Sequence, residues 1–435
     1  MKRKKVAMFM AAMMCGTLLA GCGGESKSKV EKNADGEVTI DFGIHVANPE
    51  IQEAVTYKIV QAFNEKYEGQ YEVKFQAADT ETHSTNMKLQ ASDQTLPELF
   101  WLDSSEAPEY AEASYLLDLS EFLQSHPDTD QALDESVKAA YHTDIQYGLP
   151  YQCNVEGFFY NKEIFDQLGI EAPENGTTFD ELLEIIQVCN NSGITPIAQG
   201  CMNSSYAIWG YLAVLDRYGY SDHIQAILDG KESFQNEDMV KCFEKLQQLG
   251  EAKAFSANMA TQEYFDAKEL FTSGKAAILN TGAWDCAELD EKMGDKTGFW
   301  WGPTFSDSGY QQERAMKVPS APICVSASVG DNQEVKEAVY KFLEFYYGKD
   351  AANISYEGSV FPATNYAGIE AGKEQYAMGA VIAGIDDGWM SPAAQPDQIL
   401  SSAVQSQLYD SIFGVLLGNY KPEEALEKID QQLGY

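Results

Sequence analysis

Six tryptophans and a set of short polar and acidic side chains are the residues of this chain whose types and spacing suit recognition of a ligand. A hydroxyl-rich solute with a few flat C–H faces is held in two ways. Aromatic rings supply apolar area in a fixed orientation, and amides and carboxylates pair with hydroxyls. Trp284 follows Asn280-Thr281-Gly282, a sharp turn at the end of an extended apolar run, where open α/β sheets place their ligands. Trp101 and Asp103 stand two apart at the end of the run after Pro97 and can face one space together. Trp209 follows the polar loop Asn203-Ser204-Ser205-Tyr206, and Trp389 lies in the turn-rich Asp386-Asp387-Gly388-Trp389-Met390. Each indole has a competing role in packing, and for Trp209 helix packing weighs nearly as much as ligand stacking. With 24 Tyr and 6 Trp the supply of rings is generous.

Bond-breaking finds no support in the motifs. G-x-S-x-G, G-x-x-x-x-G-K-[ST] and H-E-x-x-H are absent, and Ser273-Gly274-Lys275-Ala276 lacks the upstream glycine and the Ser/Thr of a phosphate loop. His45, His83, His126, His142 and His223 are dispersed, and no metal or other cofactor is implied. A lipid-anchored glycan hydrolase would need two carboxylates about 5–10 Å apart across one bond. Among 67 Asp and Glu such pairs carry no information. Arginine is scarce, at Arg3, Arg217 and Arg314 only, which disfavours a phosphate or carboxylate ligand.

The elements that must position these residues alternate between strand and helix. Val38, Ile40, Phe42 and Ile44 alternate as a strand; Ile51 to Tyr67 repeats at helical spacing behind Asn48-Pro49; Tyr71, Val73 and Phe75 alternate again. This predicts a βαβ unit with parallel strands. Thr178 and Glu181 fit a capping box ahead of a helix that Gly193 stops. Helical patterns recur over 239–249, 264–271, 334–347 and 422–433, and extended ones over 275–280 and 319–329. The class is α/β with open sheets, and about 398 residues from Val38 onward exceed what one core holds, so two lobes are expected.

The N-terminus sets the compartment. Lys2, Arg3, Lys4 and Lys5 precede the uncharged apolar run Val6–Leu18, and Leu19-Ala20-Gly21-Cys22 resembles the lipobox of bacterial lipoproteins. The resemblance implies a signal peptide over 1–21 and a diacylated Cys22. A polar tether reaching residue 37 follows. Without the signal the chain carries 26 Lys and Arg against 67 Asp and Glu, a net −41, which argues against a nucleic-acid partner. Cys153, Cys189, Cys201, Cys242, Cys286 and Cys324 form no C-x-x-C pair; disulfides and buried free thiols both fit them.

An ordered set of segments carries a family likeness. Pro97–Trp101, Tyr115–Leu119, Tyr147-Gly148-Leu149-Pro150-Tyr151 and Phe159-Tyr160-Asn161-Lys162-Glu163-Ile164-Phe165 come first. Leu168-Gly169-Ile170, Pro173 with Thr178–Leu182, Phe271–Ile278, Gly282-Ala283-Trp284 and Ala425-Leu426 follow. Together they resemble family 1 extracellular solute-binding proteins of carbohydrate ABC transporters, the maltose-binding-protein-like group. The resemblance implies a type II periplasmic-binding-protein-like fold with discontinuous lobes, residues 38–152 with 279–325 and residues 153–278 with 326–435. The chain would cross between them near Gln152–Gly157, Ala276–Asn280 and Pro322–Ser328. It implies a monomer on the outer face of a bacterial cell membrane, of the Gram-positive kind. There it would capture a sugar, oligosaccharide above all, and pass it to permease subunits. It adds Gln152 and Asn154 at the first crossing, Glu357 in a loop that reaches the cleft, and His45 where some relatives place an aromatic. With Trp284, Trp101, Asp103, Trp209, Trp389, Asn280 and Gly282 these make the expected site.

Overall fold

Strand β1 (Val38–Ile44) is buried along both faces, as a strand inside a covered parallel sheet must be. The computed structural model describes residues 32–34, 36–133, 138–202, 208–365, 371–386, 388–392 and 395–435. Asn203 to Tyr206, Asp387 and the whole leader with Cys22 lie outside them. β1 pairs in parallel with β2 (Tyr71–Ala77) and with β3 (Leu99–Trp101), which places the expected βαβ unit. The intervening helix is not continuous. A short turn, Pro49–Gln52, breaks at Glu53 before Ala54–Lys66, and Asn48 makes no side-chain cap. β4 (Leu149–Pro150) completes this sheet through β10 (Pro322–Val325), in the order β2-β1-β3-β10-β4.

The second sheet is built on β5 (Cys153–Asn161), flanked by β7 (Ala276–Gly282) and β8 (Thr297–Trp300). β6 (Thr195–Ala198) lies outside β7, and β9 (Lys317–Pro319) pairs with the start of β5. Helix Phe179–Asn191 covers this sheet behind the predicted capping box of Thr178 and Glu181. The six cysteines are free thiols, Cys153 and Cys201 half-buried and the rest buried.

Two antiparallel strands run from one sheet into the other. Pro150 pairs with Pro322 in the first sheet, and Cys153 pairs with Pro319 in the second. Between them Gln152 N–H donates to Ser320 Oγ and Ser320 N–H to Gln152 O, both at 3.0 Å. A third passage joins at Cys153 N–H, which donates to Phe361 O at 3.0 Å. These three passages are the hinge, and two apolar cores lie on either side of it.

The expected lobe boundaries are corrected by the pairing. β7 pairs with β5 from Glu156 to Tyr160, so residues 279–319 sit in the second lobe and Ala276–Asn280 is no crossing. Helix Gln333–Tyr346 packs on β1 within the first core, and helix Lys349–Glu357 packs on Ala54–Lys66. Residues 326–357 therefore belong to the first lobe. Apolar extended runs look alike whether they cross a hinge or fill a sheet centre, which is why the strand pattern misled.

Candidate functional site

The carboxyl ends of the strands converge on the hinge from both sides. Trp101 at the end of β3 pairs with Ile323, one residue from the crossing strand's entry at Pro322, and Gly282 at the end of β7 pairs with Glu156. Ligands of open α/β sheets sit beyond such ends. A cleft of about 350 Å3 opens there. Ser104, Ser105 and Tyr147 line it from the first lobe, Pro319 from the hinge, and Gln398 and Leu400 from the second lobe.

On the first wall His45, at the end of β1, stacks on Trp101 with centroids 4.1 Å apart and planes 20° from parallel. The resemblance implies an aromatic here in some relatives; this chain has an imidazole, which pairs with Trp101 as a double plate. Both rings are half-buried. His83 Nε2 holds the Trp101 carbonyl at 2.8 Å. Burial, with the like-charged His83 beside it, pushes His45 down to about 3, so the plate is uncharged at neutral pH. Beneath it Tyr151 OH donates to Glu53 at 2.9 Å, and burial lifts Glu53 up to about 7. Asp103, next along, accepts from the backbone N–H and hydroxyl of Ser105.

On the second lobe Trp209 and Trp284 meet edge to face, centroids 4.9 Å apart, with Tyr264 5.1 Å from Trp209. The expected lobe boundaries set Trp209 and Trp284 in different lobes; they are instead neighbours on one lobe. Both indoles are half-buried. Gly282 is needed because a Cβ there would stand 2.1 Å from the Trp284 ring. Asn280 is corrected from ligand contact to scaffold. It is 2% exposed, accepts from Gly210 N–H at 2.7 Å and donates to Gln199 at 2.8 Å, fixing the start of the helix that carries Trp209. Tyr264, which no motif singled out, is the residue the sequence reading missed.

Trp389 is half-buried and lies 5.3 Å from the Arg217 guanidinium, which is fully buried. Arg217 donates to four carbonyls, of Trp301, Pro303, Gln312 and Arg314, at 2.8–3.1 Å. Asn154 donates weakly to Glu156, and the Gln152 side chain is half-buried beside the crossing. Glu357 is exposed at the end of its helix, and among the described residues its carboxylate has no recorded partner. Trp300 and Trp301 are buried in the second core.

Two buried carboxyls close the hinge side. Glu156 and Asp397 are both fully buried; Asp397 acts on Glu156, and Asp103 acts on Asp397 from the first lobe. Desolvation raises both above the usual carboxylate range. Among the described residues no group of three or more His, Cys, Asp or Glu side chains could hold a metal ion.

A family model described as bacterial extracellular solute-binding protein matches residues 58–377. The chain belongs to that family. It is similar to the multiple sugar-binding protein of Streptococcus mutans, 22% identical over 381 residues, which cover 82% of this chain and 83% of that one. It is also similar to the sn-glycerol-3-phosphate-binding periplasmic protein of Rhizobium meliloti, 25% identical over 45% of this chain and 44% of that one. A structure from work on xylan utilisation by Caldanaerobius polysaccharolyticus superposes with a TM-score of 0.77 at 22% identity, covering 91% of this chain and 99% of the other. The two-lobe fold of the family is thus the fold of this member. The family binds solutes and is not a family of enzymes.

Proposed function

We propose that this family member is the sugar-capturing component of an ABC transporter, holding an oligosaccharide in the cleft and handing it to membrane permease subunits. One observation carries the reading. Half-buried indoles stand on both sides of one hinge, Trp101 at a strand end on His45 in one lobe, and Trp284 after a strand end with Trp209 at a helix start in the other. Closing about the hinge would bring these plates onto the two faces of a sugar, with Asp103 and Gln152 meeting its hydroxyls. The sugar then shifts the population toward the closed state that a permease recognises.

The solute handled by the Rhizobium relative bears a phosphate, which would call for a free guanidinium. Arg217 is committed to four carbonyls, and Arg314 faces Asp216 and Asp222. That favours a neutral ligand, another uncharged organic solute being the alternative. The family is extracellular, and no helix among the described residues is long and apolar enough to cross a membrane. The lipobox-like Leu19–Cys22 supports an acylated Cys22 as the anchor, on a monomer at a Gram-positive cell surface.

A thermal-shift screen against raffinose, xylo-oligosaccharides, chitin oligosaccharides and glycerol 3-phosphate tests the reading. A ligand that binds only the folded state raises Tm by mass action. A shift with a neutral glycan supports it. A shift with glycerol 3-phosphate alone, or release of product sugar from a glycan, sinks it.

A further inference from the structure

The Trp284 indole is held by a relay that reaches away from the cleft. Its Nε1–H donates to the Tyr264 oxygen at 3.2 Å. The Tyr264 hydroxyl donates in turn to Asp285 and lies 2.7 Å from Thr281 Oγ1, which itself donates to Asp285 at 2.6 Å. Lys268, 7% exposed, pairs with Asp285 at 3.1 Å and with Glu288 at 2.5 Å. Gly282 backs the indole and Trp209 meets it edge to face, so the ring is fixed behind, at one edge and at its nitrogen.

We propose that Tyr264 is a positioning residue for Trp284, and that Trp284 therefore offers a ligand its flat face and not its N–H. An indole has one donor. With that donor turned inward, Trp284 can stack on the apolar face of a sugar but cannot read the orientation of a hydroxyl. Discrimination between sugar stereoisomers then falls to the polar groups of the cleft. The aromatic contact stays tolerant of which ring stacks there, and its strength depends on the angle that Tyr264 sets. The proposal rests on the reading of the cleft given above and deepens it.

The mature protein, labelled at its indole nitrogens, separates the two. The Trp284 resonance is assigned by its loss in Trp284→Phe. In Tyr264→Phe, which keeps the ring, that resonance is expected to move, exchange faster with water and lose rigidity on the nanosecond timescale, with little change in Tm. Affinity for xylotriose or raffinose, whichever stabilises the wild type, is expected to fall about 3- to 10-fold, the effect of one net hydrogen bond. Thr281→Val removes one partner of the Tyr264 hydroxyl and is expected to move the same resonance less, which keeps the test alive if Tyr264→Phe folds poorly. An unmoved indole, or a moved indole with unaltered affinity while Trp284→Ala binds weakly, overturns the positioning role alone. Wild-type binding by Trp284→Ala overturns the cleft reading beneath it.

Discussion

Trp209 and Trp284 meet at 68° with their centroids 4.9 Å apart, although 75 positions separate them in the chain. The contact makes a corner of two indoles on one lobe. Both indoles are tied to β7: Trp284 follows the strand's own end, and Trp209 is held to it through Gly210 and Asn280.

The corner's prediction is direct. Trp284→Ala removes one indole of the corner and leaves a gap at a half-buried position outside the buried core. Binding of the stabilising glycan, read as a thermal shift, is expected to vanish while far-UV circular dichroism stays unchanged. A shift equal to that of the wild type would take Trp284 out of the site.

Arg217 is a scaffold cation. Its guanidinium is fully buried, its four carbonyl acceptors span residues 301–314, and it faces Trp389. Burial lowers it to about 9, and the neighbouring Asp216 carboxylate works the other way. Arg217→Met leaves four buried carbonyls short of a donor and is expected to cost about 3–5 kcal/mol in chemical denaturation. Arg217→Lys should recover only part of this, because an ammonium has three donors on a point and not a planar fork. Full recovery by lysine would show that charge alone matters.

Much of this architecture was legible in the sequence, and the reasons differ by element. The βαβ start, the Thr178 capping box and the closing helix Pro422–Leu433 were readable because their signals are local: alternation, a cap, a period. The lobe boundaries were not, because β7 is buried at every position and a run of that kind does not say which sheet it joins. Among the expected site residues, Trp101 and Trp284 were read from their positions at strand ends, Trp209 from the polar loop before its helix, and His45 from the resemblance. Asn280 failed because a polar residue at such an end can face inward to tie a helix as readily as outward to a ligand. Tyr264 stayed hidden because it opens the helix Tyr264–Thr272, 20 positions before the indole it anchors.

Glu156 and Asp397 predict an unusual stability profile. Both are raised by burial first, and a carboxyl with a raised folded pKa keeps its proton on folding. Stability from such a group is whole below the unfolded value near 4.5 and is lost as pH rises above it. Glu156→Gln is expected to be as stable as the wild type near pH 4.5 and increasingly more stable toward pH 8, by denaturation in urea. A constant gap between the two proteins across that range would mean that Glu156 does not carry the proton.

Glu53 and His45, 3.9 Å apart under the Trp101 plate, make a second and separable titration. Burial holds Glu53 at about 7 in the fold, against 4.5 unfolded, so the folded state binds the extra proton between those values and stability falls as pH rises through them. His45 is the reverse. Held near 3 against 6.5 unfolded, it leaves the unfolded state with the extra proton between those values, and stability rises with pH until 6.5. Each proton is worth about 1.4 kcal/mol per pH unit, so between pH 4.5 and 6.5 the two slopes oppose one another and the wild type is nearly flat from this source. Glu53→Gln keeps an acceptor for Tyr151 OH and deletes only the falling limb. Its stability is expected to climb steadily from pH 4.5 to 6.5, relative to the wild type, and then to level off above 7. A variant that tracks the wild type in parallel across that interval would place the proton elsewhere and leave the plate above Glu53 indifferent to pH.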